Sequence, residues 1–439
     1  MDIDIGLKQI NKLAIPALIS GVSEPVLSLT DAAIVGHIEF NATQSLAAVG
    51  IVTTFMSMLI WVLGQTRSAI SSIISQYVGA NKLHQIQSLP AQAIFVITSL
   101  SIIIIVCTYP FAGNIFKLYN ATGLILNYSV DYYKIRVLGF PFTLFTIAVF
   151  GTFRGLQDTY YPMVIAIIGA VVNIVLDIIF VYGVVGYLAP MNIVGAAYAS
   201  VIAQLVMAVF SAYFLLKKTT IPLALSFPFN KEMNRFTYMI LNLFVRTIAL
   251  NVTLYYASAF ATSYGASYIA AYTIAINLWF LGAFIIDGYA SAGNILSGKL
   301  FGAKAYGLLI QLSNKLIKYG LIIGLILGVS GFVFYYAIGR LFTKEPEVLE
   351  QFNAIFWIIL LMQPLCTLAF IFDGIFKGLG KMKYLRNVLL FSTFIVFIPI
   401  LFWLDYLDFK LHAIFIAITF WVIARGIPLI IKFRNMFIA

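Results

Sequence analysis

Residues 151–156 read Gly-Thr-Phe-Arg-Gly-Leu, and residues 374–379 read Gly-Ile-Phe-Lys-Gly-Leu. The separation between the two runs, 223 positions, holds without a gap as the comparison moves outward. Pro141 falls on Pro364, Lys117-Leu-Tyr119 on Arg340-Leu-Phe342, and Gly79-Ala80 on Gly302-Ala303. Ser68-Ala69 falls on Ser291-Ala292, and Ala47-Ala48 on Ala270-Ala271. Single matches among small residues are cheap in apolar helices, but six in register at one offset indicate an internal duplication.

The material being duplicated is apolar. Of 439 residues 62% are hydrophobic and 10% charged, too little charge to keep a globular surface in water. Apolar stretches of about 20 residues, enough to cross a hydrocarbon core, recur from end to end. Period-two alternation is scarce, which argues against a membrane β-barrel. The first stretch, from near Ile10, is too long for a signal peptide and follows Asp2 and Asp4, so it is expected to remain as a spanning helix. The sequence therefore predicts an all-α integral membrane protein with twelve transmembrane helices in two pseudo-symmetric six-helix bundles. The expected divisions are an N-terminal lobe over 1–216, a cytoplasmic linker over 217–235 and a C-terminal lobe over 236–439. Six spans per half give both halves one orientation, a parallel repeat.

The net charge of +11 sets topology and does not indicate a nucleic-acid partner. Connections on the N-terminal side carry eighteen Lys and Arg residues, against six on the other side (Arg136 among them). The positive-inside rule then puts both termini in the cytoplasm of a multi-pass plasma-membrane (cell inner membrane) protein. Cys107 and Cys366 lie in apolar stretches as small core residues. The histidines at 37, 84 and 412 are scattered and the aspartates do not cluster, so no enzyme chemistry and no cofactor are expected.

Ionisable residues within spans carry the functional reading, because a charge at bilayer depth costs at least about 2.5–3.5 kcal/mol on insertion scales. They are Glu24, Asp31, Asp177, Asp287, Asp373, Arg67, Arg246 and Arg425. Asn173 lies one helical turn before Asp177 and shares its face. Two carboxylates meeting in a poorly hydrated cavity can take up H⁺, hold Na⁺ with amide and hydroxyl oxygens, or attract a cationic substrate. Pairing with arginine as structural glue is the alternative. At the repeat offset Asp31 falls on Leu254, Asp177 on Ile400, Asp287 on Gly64 and Asp373 on Phe150. The halves share a scaffold without sharing charges, which points to an N-terminal coupling site. Structural pairing is the expectation for Arg246 with Asp287 or Asp373 and for Arg67 with Glu24, while Arg425 is expected to snorkel. Pro16, in the span that holds Asp31, removes a helical hydrogen bond and is a candidate hinge.

Five stretches belong together: Glu24-Pro-Val-Leu-Ser-Leu-Thr-Asp31 running on to Gly36-His37, Leu46-Ala-Ala-Val-Gly50, Phe153-Arg-Gly-Leu-Gln-Asp-Thr159 with Pro162, Gly195-Ala-Ala-Tyr-Ala-Ser200 with Gln204, and Phe372-Asp-Gly-Ile-Phe-Lys-Gly378. With them the chain resembles the multidrug and toxic compound extrusion (MATE) family, specifically its DNA-damage-inducible, DinF-like branch. The resemblance implies a secondary antiporter that exports small organic, often cationic or amphipathic compounds in exchange for H⁺ or Na⁺. It also implies two six-helix lobes forming a V-shaped cavity, with no tie to nucleic acid. Asp31 matches the family's first-helix acid, and Asn173 and Asp177 match its fifth-helix pair, a set able to take Na⁺. Ser200 stands where relatives often have threonine, and Pro16 matches the proline at which the first helix is proposed to bend. The chain is expected to act as a monomer in the lipid bilayer. The rival expectation is a flippase for a lipid-linked saccharide, which would want cationic residues such as Arg67 and Arg246 in its cavity.

Overall fold

The computed structural model describes residues 3–38, 41–184 and 186–438, with the side chains at 23, 24, 26 and 29 outside that set. Among the described residues there are twelve long helices: α1 (Leu7–Val35), α2 (Ala42–Gly79), α3 (Leu83–Thr108), α4 (Gly123–Gly155), α5 (Tyr160–Tyr182) and α6 (Asn192–Lys218). They continue as α7 (Glu232–Ser263), α8 (Ala266–Gly302), α9 (Tyr306–Val333), α10 (Pro346–Gly378), α11 (Met382–Tyr406) and α12 (Leu411–Phe437). Among the described residues, eleven of them (α2 to α12) are long and apolar enough to cross a membrane. α1, with 29 residues, is the twelfth long helix. Backbone hydrogen bonds satisfied within each helix are what permit such segments to sit in hydrocarbon.

Punctuation between helices repeats as the sequence does. Asn81 and Lys304, 223 positions apart, both take left-handed backbone with φ of 56°. Gln157 (φ 68°) and Gly380 (φ 72°) form the same kind of pair. A left-handed residue ends a helix and turns the chain sharply. Some helices are interrupted within: α2 breaks at Gly64–Gln65, α4 tightens to 3₁₀ at Val137–Gly139, and α11 widens to a π-turn at Ser392–Phe397.

The chain forms two compact units. One comprises Ile19–Ile74 and Lys82–Thr237, the other Met1–Leu18, Ser75–Asn81 and Tyr238–Ala439. Inside each, small residues let helices approach, which in a membrane is a main source of packing energy. In the first unit Gly151 abuts the backbone of Arg67, and a Cβ on Gly155 would lie 2.5 Å from the Ile74 side chain. In the second, Gly374 abuts the backbone of Ala290, and Gly378 abuts Asn294 and Ser297. These are the same contacts displaced by 223 residues. The second unit also contains a reciprocal contact, with Gly79 on the Lys299 carbonyl and Gly302 on the Gln76 carbonyl. Its apolar core gathers Trp279, Phe352, Phe356, Phe397, Phe415 and Trp421.

Candidate functional site

The first unit buries a polar cluster whose parts come in helical pairs. Tyr132 and Arg136 are four residues apart on α4, Asn173 and Asp177 on α5, and Ser200 and Gln204 on α6. Residues at that spacing share a helix face, and all six, together with Asp31 of α1, are buried. Asp31 Oδ2 accepts from Ser200 Oγ at 2.8 Å and from Tyr132 Oη at 3.2 Å. Arg136 Nη2 stands 3.8 Å from the same oxygen. Asn173 donates weakly to Ser200 Oγ at 3.4 Å. Asp177 lies within interaction range of the Asp31 carboxyl and feels the charge of Arg136. With the Gln204 amide turned so that its oxygen faces the donors, it accepts from Arg136 at 2.6 Å and from Thr143 at 3.1 Å, and its nitrogen donates to the Gly139 carbonyl at 3.3 Å. Gly139 has no Cβ where the Gln204 amide passes, and it closes the 3₁₀ step that follows Arg136.

The cluster is over-supplied with acceptors. Asp31 Oδ1, Asn173 Oδ1 and both Asp177 oxygens are buried without a hydrogen-bond donor among the described residues. Buried polar atoms ordinarily find partners, and orphaning one costs about 1–3 kcal/mol. Two carboxyls facing one guanidinium leave one negative charge when both are ionised. A proton or a monovalent metal ion fits that remainder in charge, and the four orphaned oxygens are ligands of the hard type that Na⁺ prefers. A small crevice lined by Ser28, Thr53, Ser57 and Met56 leads to Tyr132 and Arg136.

Asp31, Asp177, Asn173 and Ser200, named from sequence, thus meet in one cluster; Tyr132 and Arg136 were missed as members. Arg136 was assigned above to an extracellular connection, but α4 runs from Gly123 to Gly155 and buries it. The legible signal was the four-residue spacing of Tyr132 and Arg136 in a segment that continues apolar. Arg425, expected to snorkel, is instead 4% exposed. Arg246 pairs with Asp373, which also holds Lys377 at 2.9 Å. Asp287 is exposed on α8 and makes no ion pair among the described residues. Arg67 is half-buried at the start of the second segment of α2. The side chain of Glu24 lies outside the described residues, and Pro16 sits within the unbroken run of α1.

Duplicated sets of membrane-length helices that bury ionisable groups define a polytopic secondary-transporter class. The profile of the MatE family matches at residues 16–179 and again at 243–403, echoing the duplication, and the chain belongs to this family of multidrug and toxic compound extrusion (MATE) transporters. DNA damage-inducible protein F of Escherichia coli strain K12 is 24% identical over 432 residues, 96% of this chain and 91% of that protein. Protein DETOXIFICATION 43 of Arabidopsis thaliana is 30% identical over 263 residues, 59% of this chain; the match spans about half (48%) of that relative's length. A crystal structure of a MATE protein in the bent conformation superposes with a TM-score of 0.91 at 22% identity, covering 98% of this chain and 95% of that one. At that identity the likeness shows the fold. The chain is accordingly a multi-pass membrane efflux transporter and not an enzyme.

Proposed function

We propose that this transporter is an antiporter that exports small organic, often cationic or amphipathic compounds in exchange for H⁺ or Na⁺, with coupling at Asp31 and Asp177. The observation that carries this reading is the set of orphaned oxygens on Asp31, Asn173 and Asp177, buried beside a single arginine. A cation entering the cluster neutralises the leftover charge and satisfies acceptors that otherwise destabilise the site. A cationic cargo competes for the same charge, so the two occupy the site in turn and their movements are opposed. Each inward positive charge supplies about 2.3 kcal/mol per 100 mV, enough for a more than tenfold cargo gradient. Ser200 and Tyr132 hold Asp31 in place, while Asp177 takes the cation and releases it.

The same reading assigns residues 1–216 and 236–439 to two lobes joined by a cytoplasmic linker over 217–235. It makes Pro16 a hinge of α1 and sets a monomer in the plasma membrane with both termini cytoplasmic. Purified protein in liposomes, with ΔpH and ΔpNa imposed separately, tests it. One gradient is expected to drive cargo uptake into inverted vesicles, and Asp31→Asn or Asp177→Asn is expected to abolish that drive while the protein stays folded. Normal gradient-driven transport by both variants would end the proposal.

A further inference from the structure

Among its described residues the second unit buries Arg246 and Arg425, with half-buried Lys377 close by, against the one buried carboxylate of Asp373. Asp373 has committed both oxygens, Oδ1 to Arg246 and Oδ2 to Lys377. Nothing is left for Arg425, which makes no hydrogen bond or ion pair with any described residue although it is 4% exposed. Its Nη1 is orphaned in the interior, as is Nε of Arg246. The guanidinium is held by aromatic faces instead, 4.5 Å from the Trp421 ring centre and 5.3 Å from that of Phe370. Those contacts leave Nη1 without an acceptor among the described residues. Cation–π contacts offset only part of the cost of removing a guanidinium from water.

The support behind Arg425 is itself built. Trp421 donates its indole N–H to Thr393 Oγ1 at 3.0 Å, and Thr393 meets Thr253 at 3.0 Å. Thr393 lies in the π-turn of α11, a type of helix irregularity that clusters at functional sites. Arg425 stands midway along α12.

We propose that Arg425, backed by Arg246, is an anion-binding site that takes the carboxylate of an organic cargo molecule. This rests on the transport reading above and narrows its cargo to compounds with a carboxylate, including amphoteric ones. Arg425 supplies a planar two-donor fork of the kind that fits a carboxylate. Trp421 and Phe370 add apolar surface for the remainder of the molecule.

Benzoate is the probe, titrated onto the purified full-length protein by calorimetry and by thermal unfolding, with chloride and phosphate as separate titrations at equal ionic strength. Saturable benzoate binding is expected, weakened at least tenfold in R425Q, with chloride and phosphate at least tenfold weaker than benzoate in wild type. Should R425Q fail to fold, R425K, which keeps the charge and loses the fork, carries the test with the same tenfold weakening expected. Equal benzoate affinity in wild type and the folded variant overturns the proposal. So does tighter binding of chloride or phosphate, which would make the site a holder of an inorganic counter-ion. If benzoate does not bind while ion-driven efflux of a cationic dye persists, this inference falls and the antiport reading stands. If benzoate binds through Arg425 and no gradient drives any cargo, the antiport reading falls and with it the assignment to cargo.

Discussion

Asp31 and Asp177 differ in their company: among the described residues Asp31 has two hydroxyl donors and an arginine, and Asp177 has no hydrogen-bond donor. Tyr132→Phe removes one donor, an interaction worth about 1 kcal/mol. Efflux is expected to slow severalfold, measured in the same liposomes, whereas Asp177→Asn stops it. In the second unit, Asp373→Asn would leave Arg246, Lys377 and Arg425 without a buried counter-charge. Breaking a buried pair costs about 3–5 kcal/mol, so the variant should unfold at clearly lower temperature, and pairing it with Arg246→Met should recover part of the loss. At the surface, exposed Lys304 is left-handed where a side chain is strained. Lys304→Gly is expected to raise stability by about 0.5–1 kcal/mol, visible as a higher unfolding midpoint with unchanged transport.

Among the elements, the glycine faces and the π-turn of α11 carry the most information. Gly378 meets the backbone of Asn294 and the Ser297 hydroxyl directly. Gly378→Leu forces α8 and α10 apart and should cost about 3 kcal/mol or more, checked by yield and monodispersity of the purified protein. The π-turn places Thr393 beneath Trp421. Thr393→Val leaves the buried indole N–H without that acceptor, a penalty of about 1–3 kcal/mol, and should lower the unfolding midpoint. α4 shows how a break in helical regularity builds a site: the 3₁₀ step at Val137–Gly139 leaves room at Gly139 for Gln204, and Gln204 fixes Arg136.

For the whole molecule the controlling fact is one scaffold used twice with different charges. The backbone contacts Gly151–Arg67 and Gly374–Ala290 are related by the repeat, while Asp31 and Asp177 correspond to Leu254 and Ile400. Duplication preserved the small residues that set helix spacing, because any side chain there collides with backbone. Positions facing the unit interior were free to diverge. Among the described residues, one half buries Asp31 and Asp177 beside Arg136, and the other buries Arg246 and Arg425 with Asp373.

Apolar length and the 223-residue offset were enough to yield membrane helices, duplication and an N-terminal acid site, since each follows from local composition or spacing. Asp31, Asn173 and Asp177 were legible for the same reason, since a polar residue in a long apolar run stands out, and Ser200 was legible through the family resemblance. The inward turn of Arg136 and Arg425 was not read, because sequence distance from a span's edge does not say whether a long side chain reaches solvent or turns inward. Only packing decided that. Helices α4 and α6 enclose Arg136 against Asp31, and the aromatic faces of Trp421 and Phe370 hold Arg425 inside. Which charges end up paired depends on contacts between helices far apart in the chain, and no local pattern encodes those.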